Sequence, residues 1–178
     1  GYDAVKLGAV VCSCVGALVK TGERIRIKVD TTGGFGEPLC AELERLKQTK
    51  GDDGKPLLPD QTTVVRVNFA GSSSNPDKYP VLRDELWFGG RDSLKLCALY
   101  PDPKAESELI APTYYLDAQG RNKVEKKRDT KKRLGRSPDR ADSVLLAQYE
   151  PGTTIVLPSR LPGSQSRWAN AGAGRGFG

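Results

Sequence analysis

Hydrophobic and polar positions follow three different rhythms along this chain, and each predicts its own kind of element. In residues 4–20 apolar side chains recur at Val5, Ala9, Cys12, Val15 and Val19, the spacing of a helix face, with Lys20 and Gly22 marking its stop. The stretch RIRIKVD, residues 24–30, alternates strictly: Ile25, Ile27 and Val29 point one way, Arg24, Arg26, Lys28 and Asp30 the other, as in a half-buried strand. TTGGFG (31–36) reads as a turn, and a helix is expected over 37–47 with Pro38 in its first turn. Residues 48–60 and 70–78 are turn-rich loops on either side of a β-branched strand, 62–69. A helix follows over 79–88, ending at Gly89-Gly90, then a short one over 104–111. Residues 112–127 form a hairpin turning at DAQG, and a last helix covers 138–149. Strand–helix alternation predicts an α/β domain over residues 1–150 whose sheet is covered by helices, with no internal repeat. From Pro151 to residue 178 the chain is rich in Gly, Pro and Ser and reads as a flexible tail.

Composition narrows the chemistry. A chain of 178 residues, 37% hydrophobic, suits one domain with a real core. No apolar run approaches the roughly 20 residues of a membrane span, the longest being residues 7–19. There is no signal-peptide pattern. The chain starts with Gly and holds no Met, which reads as a piece of a longer protein. Its four cysteines form no C-x-x-C pair and there is no histidine to complete a zinc site, so buried reduced thiols are expected. Zero histidines also exclude Ser-His-Asp, Cys-His and any other histidine-dependent catalysis within the chain. Carboxylates, lysines and metals remain.

Charge is unevenly spread. Residues 121–140 hold ten Lys/Arg against Glu125, Asp129 and Asp139, so this block alone accounts for the whole chain's +6. Such a block, with Lys131 and Lys132 at its middle, is the footprint of a polyanion partner or else a solvated charged loop; charge alone leaves both open.

Two places combine carboxylates with suggestive geometry. Asp30 ends a strand just before a Gly-rich turn, at the sheet edge where ligands of open α/β sheets collect; an equally good reading is that it bonds the amides of its own turn. GGFG is no nucleotide loop, because G-x-G-x-x-G would need Gly where Leu39 stands. In the second place, Ser137 is expected as N-cap and Pro138 as first residue of the last helix, with Asp139 complementing the helix dipole by about 0.3–1 kcal/mol. Asp142, on the shoulder of an inward stripe of Ala141, Val144 and Leu145, gains little from the dipole. Spaced i and i+3, the two aspartates share a face and repel unless a cation lies between them. Mg²⁺ suits such a site, and two ions about 3.5–4 Å apart can cleave a phosphodiester without histidine.

Four stretches, VEKKRDTKKRLGRSPDRADSVLLA (124–147), IKVDTTGGFG (27–36), RDELWF (83–88) and ELIAPTYYLDAQGR (108–121), resemble in order the nuclease domain of the large terminase subunits of tailed double-stranded DNA bacteriophages. The resemblance covers roughly residues 5–150. It implies a ribonuclease-H-like mixed sheet flanked by helices and an endonuclease using two Mg²⁺ or Mn²⁺ ions. It also implies catalytic, metal-binding roles for Asp30 and Asp142, with Asp139 as a further ligand. Lys127, Arg133 and Arg136 fall on the family's phosphate-contacting positions. Implied partners are double-stranded DNA, the ATPase domain, the portal and the small terminase subunit, in the cytoplasm of an infected bacterium and with no membrane. The family has a first aspartate on an initial strand. Here either Asp3 is its remnant and a third carboxylate, or Asp3 starts the first helix and the first strands lie outside this sequence. Two other readings stay open: a DNA-clamping module without nuclease activity, and a transposase or resolvase of the same fold.

Overall fold

The computed structural model describes residues 3–18, 24–95, 97 and 99–150. The expected flexible tail, residues 151–178, and the end of the first helix lie outside the described residues. Helix α1 (Ala4–Leu18) leads to strand β1 (Ile25–Asp30), a single 3₁₀ turn (Thr32–Gly34), helix α2 (Glu37–Gln48) and strand β2 (Thr62–Val67). Helices α3 (Leu82–Ser93) and α4 (Pro103–Ile110) follow, then a hairpin of β3 (Tyr114–Leu116) and β4 (Asn122–Val124), and helices α5 (Lys127–Leu134) and α6 (Asp139–Gln148). β1 and β2 pair in parallel, Ile25 opposite Thr62 through Asp30 opposite Val67.

The two-residue period of the strands sorts their side chains between two layers. Ile25, Ile27 and Val29 join Val64, Cys40, Leu43, Leu46, Leu58 and Val15 in a core closed by α1 and α2. On the opposite face Val65 and Val67 pack with Phe69, Leu82, Leu86, Leu146 and Tyr149 from α3 and α6. A third cluster, Tyr79, Trp87, Phe88, Val124, Ala141 and Leu145, joins α3 and α6 to the hairpin. Full burial of a side chain such as Leu43 or Leu145 is worth about 1.5–3 kcal/mol, so these layers hold the fold.

Several expectations need correcting. Gly89-Gly90 does not stop a helix: α3 runs through to Ser93. Gly90 is there for packing, since a Cβ at that position would overlap the Leu145 side chain of α6. The basic stretch forms a helix of its own, α5, closed by Gly135 at φ 69° in the left-handed region. α6 is not capped by Ser137: its N-cap position is Pro138, which offers no side-chain bond. The cap comes from α4, where buried Glu108 accepts from Arg140 N (2.9 Å) and Ala141 N (3.2 Å). Of the four cysteines, only Cys40 is buried; Cys12 is half-buried, Cys14 and Cys97 exposed.

Candidate active site

Arg26, Lys28 and Asp30 occupy the polar face of β1, and α6 lies along that face. Lys28 Nζ donates to Ala147 O at 2.7 Å and pairs with Glu150 at 3.1 Å; Arg26 pairs with Glu150 as well. Helix and strand therefore run in opposite directions. Lys127 links the two acids: its Nζ lies 2.7 Å from Asp142 Oδ2, and it lines one groove with Asp30, 112 positions from Asp142 in the sequence.

The two carboxylates differ in their surroundings. Asp30 is half-buried, and its Oδ1 accepts from Thr32 N (2.9 Å) and Thr32 Oγ1 (2.5 Å), the turn-shaping role. The turn is seated tightly, for at Gly36 a Cβ would overlap the carbonyl of Asp30. Asp142 is 6% exposed. Lys127 Nζ lies 2.7 Å from its Oδ2, an ion-pair contact off the hydrogen-bonding direction, while Oδ1 is buried with no protein partner. Burial pushes the Asp142 carboxyl above its ordinary range, with Lys127 and Arg83 pulling the other way. The ammonium of Lys127 also donates to Asp139 Oδ1 at 3.2 Å, so the cation between the two aspartates is a lysine. Burial opposes the charge on Lys127, and the two carboxylates outweigh it, raising its pKa. Asp139 itself is exposed and held below the usual carboxylate range by the Ser137 hydroxyl (2.6 Å) and Lys127.

A groove of about 820 Å³ opens at this end of the sheet. Asp30, Thr32, Phe35, Arg83 and Lys127 line it, together with apolar side chains of α1, α2 and the segment after β2. Arg83 had no role in the sequence reading beyond its place in RDELWF. In the structure its Nη1 donates to Glu125 O (2.8 Å), its guanidinium lies 5.7 Å from the Trp87 ring centroid, and its Nε and Nη2 are buried without partners. Burial pulls its pKa below the ordinary value, against the charges of Asp142, Asp84 and Glu125.

The other named residues separate into paired and unpaired. Arg133 pairs with Glu125, and Arg136 with buried Glu108 at 3.0 Å. Lys131 and Lys132 stand exposed on α5 and make no ion pair among the described residues. Asp3 caps α1, its Oδ1 accepting from Val5 N (3.1 Å) and Lys6 N (3.2 Å). Among the described residues no group of three or more His, Cys, Asp or Glu is disposed to hold a metal ion, and no helix is long and apolar enough to cross a membrane.

No family model and no curated protein matches this sequence. Solved structures do. The nuclease domain of the large terminase subunit gp2 of bacterial virus Sf6 superimposes with a TM-score of 0.59 at 17% identity, over 84% of this chain and 74% of that one. The fold is that of a terminase nuclease domain. A lysine-to-alanine mutant of that domain solved with manganese gives a TM-score of 0.60 over 84% of this chain and 75% of its own, again at 17% identity. The same mutant solved with calcium gives 0.61, covering 84% and 74% at 17%. This chain thus shares the mixed helix-and-strand fold of those domains, and among the described residues its sheet of β1 and β2 is small.

Proposed function

We propose that this chain is a divalent-metal-dependent endonuclease domain of a viral DNA-packaging terminase, hydrolysing phosphodiester bonds of double-stranded DNA. The observation that carries the reading is the placement of Lys127, which pairs with Asp142 at 2.7 Å and lines one groove with Asp30 and Arg83. The fold likeness supports it, as do the neighbours solved with manganese and calcium.

The donor set fits one ion better than two. Buried, unpartnered Asp142 Oδ1 is a ready ligand, and Asp30 keeps Oδ2 outside its turn bonds. Mg²⁺ or Mn²⁺ held by one or two carboxylates and waters matches that pair, with Asp139 as an outer ligand. A two-ion mechanism calls for a further carboxylate that the described residues do not gather. We take β1 and β2 as part of a larger sheet whose first strands supply it. The bound metal would furnish an activated water and neutralise charge on phosphate. The chain's own residues hold and orient. Asp30 is fixed by Thr32, Asp142 by burial, and Lys127 stabilises the acids. Lys131 and Lys132 meet the DNA backbone, joined by Arg133 and Arg136 where their ion pairs yield to phosphate. Packaging partners would be the ATPase domain, the portal and the small terminase subunit, in the host cytoplasm.

Plasmid nicking in Mn²⁺ or Mg²⁺ tests the proposal: Asp142→Ala is expected to lose cutting while still retaining DNA, and normal cutting by that variant would end it. One observation favours a second reading, a DNA clamp without nuclease activity: Lys127 already occupies the space between Asp139 and Asp142. Parent protein that binds duplex but never nicks it in either metal would select the clamp.

A further inference from the structure

Phe35 is 87% exposed, and it is exposed at a chosen place. It sits at the mouth of the groove that Asp30, Arg83 and Lys127 line, five residues beyond Asp30. A large apolar side chain left in water forgoes the burial that stabilises its counterparts in the core. Scattered exposed apolar residues are common, but they need no rigid platform. This one has a platform. Thr31 N donates to Val67 O at 2.9 Å, Gly34 N to Thr31 O at 2.9 Å, and Phe69 N to the Thr32 hydroxyl at 2.9 Å. Gly33 and Gly34 take φ of 67° and 82°, backbone that side-chain-bearing residues rarely adopt, and the edge of the Phe35 ring lies over Gly33, where a Cβ would come within 3.2 Å of it. Gly36 fastens the far side against the Asp30 carbonyl, where no Cβ fits. The turn that fixes the carboxylate also fixes the backbone that carries the ring.

We propose that Phe35 is a DNA-contacting wedge that lies against the base step beside the phosphate to be cut; this rests on the nuclease reading above. Apolar side chains pressed between base steps from the minor groove partly unstack them and kink the duplex toward the major groove. Cations line the same groove, so a polyanion with apolar base faces is the partner whose chemistry matches both surfaces. The residue carries no proton and touches no carboxylate. Its contribution is grip and placement of the strand.

The test uses the full chain with a fluorescein-labelled duplex, read by anisotropy without metal and by cutting in Mn²⁺. Phe35→Ala is expected to weaken binding about tenfold, the scale of one lost aromatic–base contact, and to lower duplex cutting through KM while kcat holds. Phe35→Trp restores both. A substrate with a two-base mismatch at the cut site, where the step is already open, is cut equally by Phe35→Ala and the parent. Thermal melting of Phe35→Ala stays with the parent, since the side chain is outside the core. Binding and cutting of intact duplex at parental levels by Phe35→Ala would overturn the proposal, as would an equal loss on intact and mismatched duplex. The control is Asp142→Ala. If that variant still cuts, the nuclease reading fails, while the anisotropy arm continues to judge Phe35 by itself.

Discussion

Asp30, which lines the groove, and Asp142, joined to the groove through Lys127, are carboxylates held by opposite means. At the β1 end, the Asp30 carboxylate takes its hydrogen bonds from two residues on, the Thr32 amide and hydroxyl, beside two left-handed glycines. At the α6 end, Asp142 depends on residues that local sequence does not supply, namely Lys127 from α5, Arg83 from α3 and a helix cap from Glu108 on α4. A locally satisfied carboxylate stabilises the fold as it stands. A buried one with an unpartnered oxygen is held at a cost, and such costs concentrate where a ligand is expected to relieve them.

Breaking that contrast should have graded consequences. The largest is on activity, where Asp142→Ala and Asp30→Ala are both expected to reduce metal-dependent nicking to background. Their stabilities should part. Asp30→Ala loses the turn bonds and about 1 kcal/mol by urea denaturation, whereas Asp142→Ala relieves a buried charge and should melt at or above the parent. A parental level of nicking with both alanines would dissolve the comparison. Next in size, Gly36→Ala should destabilise by about 3 kcal/mol, because the collision is with backbone and cannot be relieved by rotating a side chain. Gly34→Ala, with open space around its Cβ position, should lose only about 1–2 kcal/mol through its positive φ.

The cations of the basic block divide similarly. Arg136→Ala should cost about 1–2 kcal/mol, a buried pair's loss discounted for the exposure of the arginine, because Glu108 is left uncompensated beneath α6. Lys131→Ala should leave melting unchanged yet flatten the logarithmic salt dependence of duplex binding by about 0.9 for its one phosphate. The reverse pattern would exchange their roles.

The smallest effect is a pH profile. Asp142 has its folded pKa raised above the ordinary 3.8, so the folded chain keeps a proton that the unfolded chain releases. Its contribution therefore falls as pH rises from about 3.8 toward the raised value, by linkage. Asp139, with its pKa depressed, contributes in the other direction: its stabilisation is present above its ordinary value and is lost as pH falls. Melting temperatures of Asp142→Asn should lack the first trend and keep the second. An unchanged profile would place Asp142 in water rather than in the core.

What was legible in the sequence was whatever local periodicity controls. Strict alternation in RIRIKVD fixed β1 and the face on which Asp30 stands, and DAQG set the hairpin, with Gly120 at φ 76°. The basic block as a helix was not legible, since α5 has a single buried residue, Thr130, and its polar surface shows no apolar stripe. Gly89-Gly90 misled because a glycine that admits a neighbouring Leu145 looks, in one dimension, like one that ends a helix. Asp142 was expected on the shoulder of α6 and is buried, facing Arg83 of α3 and Lys127 of α5, neighbours that α6's own sequence does not reveal.

By itself, then, the order of residues determined the strands, most helices, the absence of histidine chemistry and the carboxylate at the end of β1. Only the tertiary structure decided that α6 runs antiparallel along the polar face of β1, which cations are spent on internal pairs, and that Lys127 stands between Asp139 and Asp142. The reason is range. Backbone preference and side-chain period act over a turn or two of chain, whereas burial and ion pairing are set by whichever segments the fold brings together.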